Sequence, residues 1–268
     1  MYSSSKTLVA SFLATSSLFI SFASAAVIYQ HDFSGSAGST LNNVAIDTAN
    51  STFGGSSGAT WLASENRFRA DGSTTSVNAT ASAFIPFSPV NGYIYTISLD
   101  VEATAISSNG SRFTMSLLDY TGAGSPNVAA DFQSFANHTS YGTIGLRTSD
   151  FNDSGSKYNF LSWTGPALNG ASHLNHTTPG TWNLSIILNT TAANNWTVTL
   201  VGTSDTGEIQ SRSGAVPSSA TIDHIMLTNY QQIAVSMESF SVIAVPEPSL
   251  TLLSSISGLL AVRRNRRR

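Results

Sequence analysis

Residues 178–215 read TPGTWNLSIILNTTAANNWTVTLVGTSDTGEIQSRSGA. Trp182, Leu184, Ile186 and Leu188 recur with period two, and so do Trp196, Val198 and Leu200. In an extended chain alternate side chains share a face, so each run predicts a strand with one apolar side. An Asn/Thr-rich turn joins the two strands, and a polar turn containing Gly207 follows. The expectation is a hairpin with Trp182 and Trp196 both on the core side.

The same alternation spreads outward. Tyr93, Tyr95, Ile97, Leu99 and Val101 face one way, with Ile94, Thr96, Ser98, Asp100 and Glu102 opposite. Phe113, Met115 and Leu117 repeat the pattern, and Val77, Ala79, Ala81, Ala83 and Ile85 give a strand of small residues. Further strands are expected over 27–33, 61–63, 67–70, 143–147, 158–163, 224–228 and 235–243. Turn chemistry separates them at Asn91-Gly92, Asn109-Gly110, Asp153-Ser154-Gly155 and Pro179-Gly180. No stretch between 27 and 245 carries a 3.6-residue apolar period. The fold class is all-β, an antiparallel two-sheet sandwich with a wet outer side. The hairpin resembles the central hairpin of laminin-G-like, concanavalin-type jelly rolls. The opening Tyr29-Gln30-His31-Asp32-Phe33-Ser34-Gly35 resembles the first strand of such domains in exported bacterial proteins.

The 268-residue chain has no Cys, which rules out disulfides and thiolate chemistry within it. Only 10% of residues are charged, against about 25% in a typical domain. The net charge of −3 hides a division, because five of the 12 Lys and Arg lie at 263–268. The body, 26–245, holds six Lys and Arg against fourteen acids, a formal balance of −8. Such a body lacks the clustered cations that nucleic acid or an anionic membrane surface requires.

The two ends differ from the body. At the start, Lys6, an apolar run over 8–22 and the small residues Ala23-Ser24-Ala25 compose a secretory signal peptide spanning 1–26. The sandwich is expected over 27–244. From 245 onward come Pro246-Glu247-Pro248, an apolar run over 250–262, and Arg263, Arg264, Arg266, Arg267 and Arg268. The prolines are expected to stop the last strand at Val245. The thirteen residues of the apolar run, among them Ser254, Ser255 and Ser257, make ~20 Å of helix, short of the ~30 Å hydrocarbon core. The arginines nevertheless suit a membrane hold with its end retained in the cytoplasm.

Order, spacing and position of these residues resemble the PEP-CTERM sorting signal of exopolysaccharide-producing bacteria. The resemblance implies that an exosortase, a membrane-embedded transpeptidase-like enzyme, recognises Pro246, Glu247 and Pro248. It implies transient insertion of 250–262 in the inner membrane, with Arg263, Arg264, Arg266, Arg267 and Arg268 as a cytoplasmic stop. The mature protein is then expected at the cell surface or outside the cell.

Within the body, no E-x-D-x-x-E pair and no G-x-S-x-G elbow occur. Asp100 and Glu102 share a strand face and read as solvated carboxylates. His173 and His176 are spaced as zinc ligands, but read as exposed loop histidines. Asp150 and Asp153 are the carboxylates a Ca²⁺ would use; their loop lacks the 1-3-5 ladder of calcium loops and reads as a solvated turn. Trp163, at a strand end beside Gly165-Pro166, is the Trp expected to stack on sugar. The leading expectation is an exported, non-catalytic structural or adhesive protein without a cofactor. The alternative is a lectin-like module binding extracellular polysaccharide, with or without Ca²⁺. An enzyme acting on polysaccharide ranks third.

Overall fold

A computed structural model describes residues 24–64, 67–75, 80–106, 112–120, 138–149, 157–163, 175–176, 180–230 and 233–247. Fourteen strands run through them: β1 (Ala26–His31), β2 (Thr48–Ala49), β3 (Leu62–Ala63), β4 (Thr80–Pro86), β5 (Tyr93–Ile106), β6 (Arg112–Tyr120) and β7 (His138–Ser149). They continue with β8 (Lys157–Trp163), β9 (Asn175–His176), β10 (Thr181–Asn189), β11 (Thr197–Ser204), β12 (Ile209–Ala215), β13 (His224–Tyr230) and β14 (Ile233–Pro246). They form two seven-stranded sheets, in the orders β12-β11-β10-β5-β14-β1-β2 and β3-β4-β13-β6-β7-β8-β9. Every pairing between these strands is antiparallel. Among the described residues, no helix is long and apolar enough to cross a membrane.

The inner faces follow the period-two reading. Ile97, Leu99, Leu184, Ile186 and Val198 of the first sheet pack with Ile85, Phe113, Met115, Ile144 and Leu227 of the second in one buried core. Trp182 sits there too, 1% exposed. Register explains the match. Leu184 stands opposite both Leu99 and Gly202, so apolar positions on neighbouring strands fall on the same side.

The outer faces differ from each other. That of the first sheet is polar, as expected. That of the second is not wet. Ser82, Thr114, Ser116, Thr143 and Thr228 are buried there beside Phe84, Leu118 and Met226. Hydroxyls make this tolerable by pairing with each other. Ser116 Oγ donates to Thr143 Oγ1 at 2.9 Å, and Ser82 Oγ lies 3.3 Å from Thr228 Oγ1. A small hydroxyl alternating with an apolar residue therefore looks solvated in sequence although it is enclosed.

Three boundaries also shift. β14 continues through Val245 to Pro246, which stands opposite Tyr93. Its neighbour on the other side, β1, ends at the Ala26–Ala244 pair, so no ladder bond is asked of the proline nitrogen. β1 starts at Ala26, one residue ahead of the expected strand. Residues 67–70 form only isolated bridges, such as Arg69 with Thr40 and Phe68 with Thr74.

One tyrosine ties the layers together. Tyr29 OH donates to Pro86 O and accepts from Ser56 N, both at 2.7 Å, and so joins β1 to β4 of the opposite sheet. Burial raises the pKa of Tyr29, with the Ser56 amide a smaller opposing influence. Burial likewise pushes Tyr95 up to about 12. The folded state therefore keeps these protons to higher pH than the unfolded chain. Their contribution is intact below pH 10, the ordinary tyrosine value, and is lost as pH rises toward about 12. Urea midpoints measured across that window are expected to fall as tyrosinate absorbance grows, and Tyr95→Phe should flatten the fall.

Candidate functional site

At one end of the first sheet, three turns meet. The Asn91-Gly92 turn leads into β5, the 190–196 turn joins β10 to β11, and the 216–222 segment leaves β12. They enclose a pocket of about 210 Å³ lined by Asn91, Asn194, Trp196, Pro217, Ser218 and Ala220. None of these side chains carries a charge.

Trp196 departs from its expected place. It lies one residue ahead of β11 and is only partly buried, packing one side against the core. Its carbonyl accepts Val216 N at 2.8 Å, which fixes its backbone against the segment leaving β12. Its Nε1 donates to Asn91 Oδ1 at 2.8 Å. The indole is thus held by one edge, packs against the core and borders the pocket. Asn194 takes a left-handed conformation with φ 65°, which Asn tolerates better than most residues.

The Asn91 turn is held from behind. Gly92 adopts φ 90°, as the Asn-Gly signal predicts. Its N–H donates to Thr190 O at 2.9 Å. Thr190 is fully buried, and its Oγ1 lies 2.7 Å from Val90 O and 2.9 Å from Tyr93 O. Tyr95 OH accepts Val90 N at 2.9 Å and donates to Val90 O at 3.2 Å. Thr190→Val keeps the shape and removes the hydroxyl. It is expected to lower stability by about 1–2 kcal/mol, read from urea unfolding. By loosening the turn that positions Asn91, it should also weaken binding at the pocket.

Such a site suits a small, neutral, hydroxyl-rich ring. The indole offers an apolar face, and two Asn amides and Ser218 offer donors and acceptors around it.

The residues singled out in the sequence have other places. Trp163 ends β8, opposite Thr143. His176 lies in β9 rather than in a loop, opposite Tyr158. His173, Asp150, Asp153, Pro248 and the arginines Arg263, Arg264, Arg266, Arg267 and Arg268 lie outside the described residues. Pro246 closes β14, and Glu247 N donates to Gly92 O at 3.1 Å. Among the described residues, no group of three His, Asp or Glu is placed to hold a metal ion.

Two carboxylate groups serve the framework. Asp100 accepts Asn183 Nδ2 at 2.7 Å and Ser239 Oγ at 2.6 Å, linking β10, β5 and β14 on the outer face. Asp100→Ala is expected to cost about 1–2 kcal/mol in urea unfolding, with no change in ligand binding. Asp223 Oδ1 accepts Tyr120 N at 3.0 Å and lies 2.7 Å from His224 Nδ1. Burial, then the charge of Asp223, raises the pKa of neighbouring Asp119. This group pins the segment before β13 to β6.

No protein-family model matches the sequence, and no curated protein matches it. Among solved structures, the chain is similar to the CBM2 module of the evolved Dit protein of Lactobacillus casei BL23 phage J-1. That pair is 14% identical over 84% of this chain and 98% of the module, with a TM-score of 0.48. The Lotus tetragonolobus seed lectin is 11% identical over 72% of this chain and 96% of its own, with a TM-score of 0.47. Peanut lectin is 12% identical over 85% of this chain and 100% of its own, with a TM-score of 0.42. At these scores the likeness is one of sandwich architecture, and no ligand is carried over from it.

Proposed function

We propose that the domain is a carbohydrate-binding module of an exported protein, taking one neutral sugar ring of an extracellular polysaccharide against Trp196. The observation that carries this reading is the partly exposed indole, fixed to Asn91 at 2.8 Å, in a pocket without a charged lining. At about 210 Å³ the pocket is smaller than the ~300 Å³ at which drug-sized sites begin, which suits a single ring. The pocket favours the lectin-like reading over a purely structural one. Adhesion to a matrix glycan follows from the same site. An uncharged lining disfavours uronic acids and needs no Ca²⁺.

A glycan array probed with the full chain in detergent tests this reading. Binding to neutral glycans, unchanged by EDTA, is expected; an array blank for neutral glycans would sink it. The tail supports export and processing by its sequence alone. In this reading an exosortase-type enzyme cuts near Pro246, Glu247 and Pro248, and the mature form leaves the inner membrane. Mass spectrometry of the secreted protein should find no peptide from 250–262.

A further inference from the structure

Among the described residues, one edge of the two sheets differs from the others. β2, β3 and β9 end their sheets with two residues each, too short to template a further strand. β12 ends the first sheet with seven. Its sequence, Ile209-Gln210-Ser211-Arg212-Ser213-Gly214-Ala215, holds neither Pro nor Lys, the residues that commonly blunt an edge. The bonds it makes show which groups it leaves over. Ser204 N–H donates to Glu208 O at 3.0 Å, and Val216 N–H donates to Trp196 O at 2.8 Å. The register with β11 between them is unbroken. Backbone groups alternate in direction along an antiparallel strand, so even positions bond to β11. Ile209, Ser211, Ser213 and Ala215 therefore turn both N–H and C=O away from the sheet. All four residues are exposed, Ile209 at 68%.

This edge is complementary to itself. A two-fold axis brings one patch against its own copy. Antiparallel registers that match outward groups to outward groups centre on a whole residue. Centring on Arg212 sets arginine against arginine, which is unfavourable. Centring on Gln210 sets Arg212 opposite Glu208 of the second copy, and Glu208 opposite Arg212. On the outer face it sets Ile209 opposite Ser211, with the two Ile209 side chains as diagonal neighbours. Ile209 is the most exposed large apolar side chain among the described residues. Gln210 then faces Gln210. Its Oε1 is shielded from water and has no hydrogen-bond partner within the chain, and the facing amide supplies a donor. Charge, apolar exposure and the unmet acceptor all select the same register.

We propose that the chain forms a two-fold dimer by antiparallel pairing of β12 with β12 of a second copy, centred on Gln210, which joins two first sheets into one. Ile209 and Ser211 of each copy exchange both ladder bonds with Ser211 and Ile209 of the other. Pairing one short edge belongs with small interfaces, below ~1,200 Å², so the dimer forms and parts with concentration. β12 runs toward the pocket, since Pro217, Ser218 and Ala220 follow it. An antiparallel pair sends the two pockets to opposite ends of the joined sheet, roughly 45 Å apart along the strands. On the sugar reading, which this consequence rests on, the dimer cross-links separate polymer chains.

The absence of Cys allows a direct test of the register. Full chains carrying Gln210→Cys or Ser213→Cys, in detergent, are treated with oxidised glutathione. Two thiols join as one disulfide, and their protons and electrons convert the oxidant to two reduced glutathiones. Residues facing at the axis have Cα atoms about 4.5 Å apart, within disulfide reach. The two copies of position 213 stand six residues out of step, about 20 Å apart. Gln210→Cys is expected to give several-fold more linked dimer than Ser213→Cys; equal yields, or the reverse, would overturn the proposal. Sedimentation equilibrium in density-matched detergent gives the second readout. The unaltered chain should pass from monomer to dimer as concentration rises. Ser211→Pro removes an N–H that β11 does not use, and Ile209→Lys sets two cations side by side. Each should raise the dimer dissociation constant about tenfold or more. Should Ser211→Pro unfold, Ile209→Lys decides alone, because its site is exposed. A chain monomeric throughout, or a dimer indifferent to Ile209→Lys, would contradict the pairing. Neither readout uses sugar. A blank glycan array removes the cross-linking role and leaves the dimer, whereas a monomer leaves the sugar reading intact.

Discussion

Trp196→Ala is expected to abolish saturable glycan binding while leaving the domain folded. The indole is the one large ring bordering the pocket, and it is held by Asn91 rather than enclosed in the core. Truncating an anchoring Trp typically costs at least 2 kcal/mol, or about 30-fold in Kd. The same change removes a partly buried side chain, so the stability loss should stay near 1 kcal/mol, typical of single substitutions. Trp196→Phe keeps a ring and loses the bond to Asn91, and it should fall between the two. Calorimetric titration with the best array glycan, beside thermal unfolding of the same samples, separates the two effects.

Trp182→Ala is expected to do the reverse. This indole is 1% exposed and stands between Val101 of β5 and Ser204 of β11. Removing it leaves a cavity between sheets that cannot collapse, because β10 is bonded on both edges. Losses for such truncations run about 3–5 kcal/mol. Against a total stability of about 5–15 kcal/mol, that leaves a marginal fold. The urea midpoint should drop steeply, and what remains folded should still bind glycan. A loss below about 1 kcal/mol would place Trp182 outside a packed core.

The contrast between these two residues marks how far the sequence is legible. Both lead an alternating run, and period two puts both on the inner side. Trp182 lies within β10 and follows the rule. Trp196 lies just ahead of β11, where the sheet gives way to a turn, and the rule has no hold on it. The inner faces of β5, β10 and β11 were readable because one strand's own spacing decides them. The enclosed outer face of the second sheet was not, because Ser82 pairs with Thr228 and Ser116 with Thr143 across strands distant in sequence. The pocket was hidden for the same reason. Its residues come from positions 91, 194, 196, 217, 218 and 220, and Asn, Pro and Ser are ordinary turn residues wherever they occur. The nearest signal was Trp196 beside the turn residue Asn195.

The tail shows a different kind of limit. Its residue order carries a resemblance, whereas its geometry begins only at Pro246 and Glu247. There the structure adds one fact that sequence does not hold: the exit lies beside the pocket.

The central claim is that the Trp196 pocket binds sugar. The chain's four Trp side chains give four indole N–H signals, from Trp61, Trp163, Trp182 and Trp196. Titrating ¹⁵N-labelled protein with the best array glycan should shift the Trp196 signal and the Asn91 side-chain amide in a saturable way, with Trp182 unmoved. A saturable shift at Trp163 with Trp196 still would contradict the account.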